Sequence, residues 1–371
     1  MRRLAALIPR ADRRALRGAA VSMLAVVLAL AASLLVIAWS GAPVGDAARA
    51  MWDGVFGSPA QFGATLTKFV PLVLAAVGWV VASRAGRLNV GLEGQILAGG
   101  TTAAVVGLSL SGLPMAVHLP LAVLAGAAGG AALGGIAAWL WARRGVNDFI
   151  ATLLLTLIMT QAVSWLANGP LEEPTGTLGQ TSPVADSARW PVLLARTTLR
   201  WDIVLVVVLV LVAAYVLRRT VVGYRLRLTG ANPTAAKATG TRTRLVGVGA
   251  LCTSAAIAGV AGSSLVLAAP AGNLAPGFSA NYGFDGIVVA LLARNNPLAC
   301  IPAALLLAAL RQGGGLLEAR VGISSGLVTA TQAVVILLVT GSAWLVDRRR
   351  SRPADARPAQ PQERVSEGAH S

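Results

Sequence analysis

The sequence predicts an all-α polytopic membrane protein with about ten transmembrane segments, an inverted-repeat core and both termini in the cytoplasm. Three observations lead there. Apolar residues make up 56% of 371 positions and charged residues only 12%, with a mean hydropathy of +0.70. Soluble chains carry about 25% charged residues. About ten stretches approach the roughly 20 apolar residues that a crossing helix needs. Finally, the short signature Asn89-Val90-Gly91-Leu92-Glu93-Gly94 returns 192 residues later as Asn281-Tyr282-Gly283-Phe284-Asp285-Gly286.

Residues 1–17 read as a cytoplasmic segment carrying six arginines. The first apolar stretch, 18–40, is longer than the 7–15 residues of a cleavable signal core, so it reads as a retained helix. Eight more follow near 64–82, 88–110, 119–142, 149–167, 202–217, 245–269, 284–293 and 297–311, and a last one at 326–346. Only helices or a closed barrel satisfy their own backbone in hydrocarbon. Uninterrupted Leu/Ala/Val runs exclude the alternation of a barrel. The stretch 284–293 is too short to cross alone and reads as half of a broken helix or a re-entrant element. The transmembrane domain thus covers 18–346, with a cytoplasmic loop at 218–244, and the polar, Pro-rich 347–371 reads as a disordered cytoplasmic tail.

Orientation follows from the basic residues. On this reading 24 of the 31 Lys and Arg lie in inner segments and seven on the outer side, which is the positive-inside bias. The net charge of +16 is therefore an orientation signal directed at the lipid bilayer rather than at nucleic acid. Cys252 and Cys300 both lie in apolar spans, so neither a disulfide framework nor a metal site is indicated. The chain has two lysines, Lys68 and Lys237, and neither belongs to a Gly-xxxx-Gly-Lys-[Ser/Thr] loop. No cofactor is expected on this chain, and His118 and His370 stand apart from any catalytic pattern.

Four segments carry candidate function. In the loop 218–244, Gly230-Ala231-Asn232-Pro233-Thr234-Ala235-Ala236 through Gly240 reads as a separate two-turn helix. Asn232 suits its N-cap, Pro233 its first position and Gly240 its left-handed stop. Its Ala/Thr body is either a ridge for another protein's groove or a basic linker. Glu93 and Asp285 are carboxylates between glycines. Paired glycine-interrupted segments in two halves of a membrane protein point to an inverted repeat and a pathway, so transport is the leading reading. Each acid either holds a broken helix or gate, or touches a ligand; if the repeat is an inverted one, the two segments are expected to meet near the midplane. In the fifth span Thr152, Thr156, Thr160 and Ser164 share one helical face, with Gln161 beside them. They either line a route for a hydroxylated solute or bond back to their own helix. The outer segment 168–201 carries mixed charge and is either a receiving surface or a connector.

Several of these residues carry a resemblance. Thr234-Ala235-Ala236 with Gly240 resembles the EAA-xxx-G element of ABC importer permeases, with Thr234 where Glu is usual. The run from Gly223 to Gly240 is similar to the coupling loop of the ribose/branched-chain-type permease family. Asn89-Val90-Gly91-Leu92-Glu93-Gly94-Gln95 and the run Tyr282 to Pro297 resemble that family's other hallmarks, especially its nucleoside (guanosine and simple sugar) uptake branch. Thr156 departs from the Asn expected after the Thr152 run. The resemblance covers about residues 60–345 and implies a non-enzymatic permease subunit in the bacterial inner membrane. Its implied partners are an ABC ATPase using ATP and Mg, a second permease subunit and an extracytoplasmic solute-binding protein. It implies coupling at Gly230, Asn232, Pro233, Ala235, Ala236 and Gly240. Taken with the spacing of the fifth span, it places a pathway or gate at Asn89, Gly91, Glu93, Gly94, Gln95, Thr152, Thr156, Thr160, Gln161, Phe284, Asp285 and Gly286. The alternative is a secondary transporter or channel with Glu93 and Asp285 as ion-coupling acids.

Overall fold

The computed structural model of the protein describes residues 44–174 and 179–321, with residues 330 and 333. The N-terminal segment, the stretch 18–40, nearly all of 326–346 and the tail lie outside the described residues. Each of the eight interior apolar stretches is a helix. An additional helix precedes them, α1 (Val44–Phe56). Its Asp46, Arg49 and Asp53 give it no span signal in the sequence, and it buries Ala47, Ala50 and Val55 instead. The series continues with α2 (Pro59–Arg84), α3 (Leu92–Ser109), α4 (Met115–Arg144), α5 (Asp148–Ala167) and α6 (Asp202–Arg219). Then come α7 (Val221–Ala231), α8 (Pro233–Ala238), α9 (Thr243–Leu267), α10 (Tyr282–Leu292) and α11 (Cys300–Val321).

Among the described residues α2, α4, α5, α9 and α11 are long and apolar enough to cross a membrane, and α6 with α7 makes a sixth, bent by 70°. α3 has polar Glu93 and Gln95 in its first turns, and α10 has only 11 residues. After α10, Arg294 and Asn295 adopt left-handed backbone (φ 53° and 54°) and turn the chain into α11.

Local chemistry sets the ends. Ser58 caps α2, its hydroxyl accepting from the Gln61 N–H at 3.2 Å, and Pro59 occupies the first helical position. Asn147 caps α5 by accepting from the Phe149 N–H at 2.9 Å. Gly145, at φ 69°, closes α4. Thr220 ends α6 and caps α7, its hydroxyl accepting from the Gly223 N–H at 3.3 Å.

α2 is the central helix, with 78% of its apolar stretch buried against 22% for α5. It packs on α9, α10 and α11. α5 instead turns Ile150, Leu154, Leu157, Ile158 and Trp165 outward, as a lipid-facing or partner-facing helix does. α3, α4 and α9 meet through glycines. A Cβ on Gly259 would overlap the Gly126 carbonyl, and one on Gly262 the Ile96 carbonyl. Without side chains at these points the backbones approach closely, which is how helices gain dispersion contacts in lipid.

The arginine-rich segments gather at one end. Arg84 donates to the Asn295 carbonyl at 2.6 Å and Arg218 to Asn296 Oδ1 at 2.7 Å. Arg87 lies 4.2 Å above the Trp141 ring and 3.5 Å from Asp148. At the other end, segment 179–201 lies on 267–274: the N–H groups of Thr181, Val184 and Trp190 donate to the carbonyls of Leu274, Gly272 and Leu267. His118 is fully buried there, bonded to Ser187 at 2.7 Å and to the Val106 carbonyl at 3.1 Å. A carbonyl can only accept, so Nε2 carries the proton, and in the neutral ring Nδ1 accepts from the serine.

Candidate functional site

The two glycine–acid signatures touch. Glu93, in the first turn of α3, sends its carboxylate to the start of α10. It accepts from the Ser279 hydroxyl, from the Asn281 N–H at 3.2 Å and from the Gly283 N–H at 2.7 Å. Ala280 and Asn281 are both left-handed (φ 43° and 63°), and such a turn aims successive N–H groups at an anion. For alanine that conformation costs on the order of 1–2 kcal/mol, so the strain sits where the acid is received. Gly283 is required by contact: a Cβ there would overlap the Glu93 backbone.

The rest of the first signature ties α3 to α9 and α5. Asn89 and Gln95 form a reciprocal amide pair, both bonds at 2.9 Å, and the Asn89 amide also donates to Ser254 Oγ at 2.8 Å. All are buried; satisfied polar groups of this kind fix one packing, and a half-satisfied set is costly. A Cβ on Gly91 would lie 2.6 Å from the Thr152 carbonyl oxygen, and one on Gly94 2.7 Å from the Thr156 Cα. The glycines therefore seat α5 on α3.

Asp285 has a different environment from Glu93 despite its matching position. Both Nε and Nη2 of Arg311 in α11 reach its Oδ2 at 2.7 Å. Arg311 also donates to the Ala280 carbonyl at 2.9 Å and lies 4.4 Å above the Tyr282 ring. The second acid thus anchors α10 to α11, while Gly286 lets α10 reach Ala75 and Ala76 of α2; Phe284 is half-buried beside it. Removing either ion-pair partner strands the other. We expect Asp285→Ala or Arg311→Ala each to cost roughly 2–3 kcal/mol, and the double variant less than their sum, measured by thermal unfolding of the purified protein.

The threonine face of α5 divides. Thr152, Thr156 and Thr160 each donate to the carbonyl four residues earlier, at 2.8, 3.0 and 3.0 Å. Thr152 and Thr156 are buried against the glycines, while Thr160 and Gln161 are exposed. Back-bonding and packing describe the first two; the second two face out of the chain.

α8 is separately capped, as its residues suggest. Asn232 Oδ1 accepts from the Thr234 and Ala235 N–H groups, both at 3.0 Å, Pro233 is the first helical residue and Gly240 is left-handed at φ 77°. Ala235 is exposed and Ala236 fully buried, so the first offers a surface and the second anchors the helix. Gly230 presses on the end of α2: its Cβ would lie 2.9 Å from the Gly86 nitrogen.

Ser254, Ser279 and Arg311 belong to this constellation without having been singled out in the sequence. Each is one polar residue in a run whose partner lies 165, 186 or 26 positions away. Asp202 with Ser264, a buried pair near the opposite end, was likewise missed.

Comparison with known proteins agrees with this architecture. The family model for the permease component of branched-chain amino acid transport systems matches residues 61–340. A guanosine ABC transporter permease of Bacillus subtilis is 31% identical over 325 residues, covering 87% of this chain and 93% of the relative. A glucose ABC transporter permease of Haloferax volcanii is 35% identical over 323 residues, covering 80% and 83%. A nucleoside ABC transporter permease of Lactococcus lactis is 27% identical, covering 71% and 74%. No solved structure matches significantly. Permeases of such systems associate with ATPase and solute-binding partners. The chain belongs to this permease family and is a multi-pass, membrane-embedded subunit of an ABC transporter, not an enzyme.

Proposed function

We propose that this subunit forms the uptake pathway for a nucleoside or simple sugar, in an importer with a second permease, two cytoplasmic ATPases and an extracytoplasmic solute-binding protein. The chain crosses about ten times with both termini inside, and α8 faces the cytoplasm. Named solutes of the relatives, guanosine, nucleosides and glucose, support the solute class. ATP and Mg are used on the ATPase chains.

One observation carries the mechanism: α8 is linked to the paired signatures through α7, α2 and α10. α7 leads into α8, Gly230 abuts the end of α2, and Ala75 and Ala76 of α2 abut Gly286 of α10. The start of α10 holds Glu93. On this reading a push on α8 travels to the Glu93 junction along these packed helices. The ATPases must bind the two conformations with different affinity for this to shift them. The route runs beside the outward Thr160 and Gln161 and past the junction. Ion coupling through Glu93 and Asp285 is disfavoured because donors already occupy both acids.

Ala235→Asp is the test. It places a charge on an exposed surface, so the chain is expected to insert normally while ATPase co-purification and ATP-dependent uptake fall more than ten-fold. Retained co-purification with full uptake removes α8 from coupling. A nucleoside and pentose panel in the same vesicles identifies the solute, and uptake that needs no ATP but collapses with an uncoupler overturns the importer reading.

A further inference from the structure

A second concave site lies apart from the paired signatures. The 70° turn between α6 and α7 opens a wedge of about 510 Å³ against α2 and α9. Its walls are apolar, among them Val81, Leu209, Val216, Leu226 and Ile257, and the polar side chains lining it are Arg225 and Thr253. A hydroxylated solute would find almost no hydrogen-bonding partners there, whereas solute sites carry several placed polar groups.

The mouth is basic. The segment 218–244 holds seven Lys and Arg and no Asp or Glu. Arg219, Arg225 and Arg227 have no acidic partner among the described residues. α7 also has the profile of a helix lying in a membrane interface: Val222 and Leu226 face the wedge, Arg225 is exposed and Tyr224 is 55% exposed. An apolar wedge with the unpaired, exposed Arg225 at its edge matches an acyl chain below a phosphate. A second copy of this chain would bring its own Arg225 and the same basic segment towards this one, and like charges repel.

We propose that the wedge between α2, α6, α7 and α9 binds an anionic phospholipid, with an acyl chain inside and the headgroup on Arg225 and its neighbours. Basic pockets between helices at this level are suited to anionic headgroups. Because α7 runs directly into α8, the bound lipid props the loop that carries α8. That consequence rests on the coupling proposed above; the binding itself does not.

Native mass spectrometry of the delipidated full-length protein, with phosphatidylglycerol and phosphatidylcholine as probes, tests the binding. Wild type is expected to retain phosphatidylglycerol at least five-fold better. Arg225→Gln should lose about five-fold for phosphatidylglycerol alone, the effect of one basic group near an anionic surface. Gly249 lines the wedge, and a Cβ there meets nothing within 4 Å. Gly249→Leu should therefore intrude into the wedge and lower retention of both lipids without disturbing packing. Arg143→Gln, at the same end but on α4, should change nothing. Equal retention of both lipids by wild type, insensitivity to Gly249→Leu, or an equal loss in Arg143→Gln overturns the proposal. So does a crosslink in native membranes from Gly249→Cys to a second permease subunit, since the wedge is then a protein interface.

Discussion

Glu93→Ala is expected to reduce uptake more than ten-fold and to destabilise the purified protein by about 3 kcal/mol. The substitution removes the acceptor for the Ser279 hydroxyl and the Asn281 and Gly283 N–H groups. Each buried donor left without a partner costs about 1–3 kcal/mol, partly offset because a carboxylate no longer has to be desolvated. Glu93→Gln should sit between the two, at about 1–2 kcal/mol, since its one carbonyl replaces part of the acceptor capacity. Thermal unfolding in detergent and vesicle uptake measure both quantities. Wild-type values for the alanine variant would show that the junction between α3 and α10 carries no weight.

A larger loss is expected from Gly262→Val. The glycine lies where α9 crosses α3, and a Cβ there would overlap the Ile96 carbonyl and approach the Gly100 nitrogen to 2.6 Å. Those atoms are backbone and cannot rotate away, so the helices must separate. Overpacking typically costs 1–3 kcal/mol; against the α3 backbone about 3 kcal/mol or more is expected, and little folded protein should reach the membrane. Gly315→Ala on α11 is the matched control. Nothing lies within 4 Å of its Cβ position, so it should be neutral or gain about 0.5–1 kcal/mol from helix propensity. Size-exclusion profiles from membranes separate the two outcomes.

The contrast between these residues explains what could be read in advance. The helices were legible because their cause is local: apolar runs, and for α8 Asn232 and Pro233 at its start and Gly240 at its stop. The meeting of the two signatures was legible because their repetition is itself a sequence fact. α1 was not, since its Asp46, Arg49 and Asp53 conceal a face that has meaning only once α11 is beside it; Arg320 reaches Asp53 at 2.9 Å. Nor could the sequence separate Glu93 from Asp285. Their neighbours match, yet one acid is received by backbone donors and the other by Arg311, because side-chain partners are set by which helices pack. Ala235 and Ala236 show the same limit: adjacent identical residues, one exposed and one buried, divided only by the docking of α8.

The Glu93 junction has a consequence for how the protein is made. Gly283 lies 190 residues after the acid it receives. At about 5–20 residues per second, roughly 10–40 s of translation separate the two. Throughout that interval the nascent chain must keep an ionisable group near lipid without its eventual donors, at a penalty of a few kcal/mol. Until α10 is made, the ribosome-bound chain thus carries an acid whose receiving backbone does not yet exist.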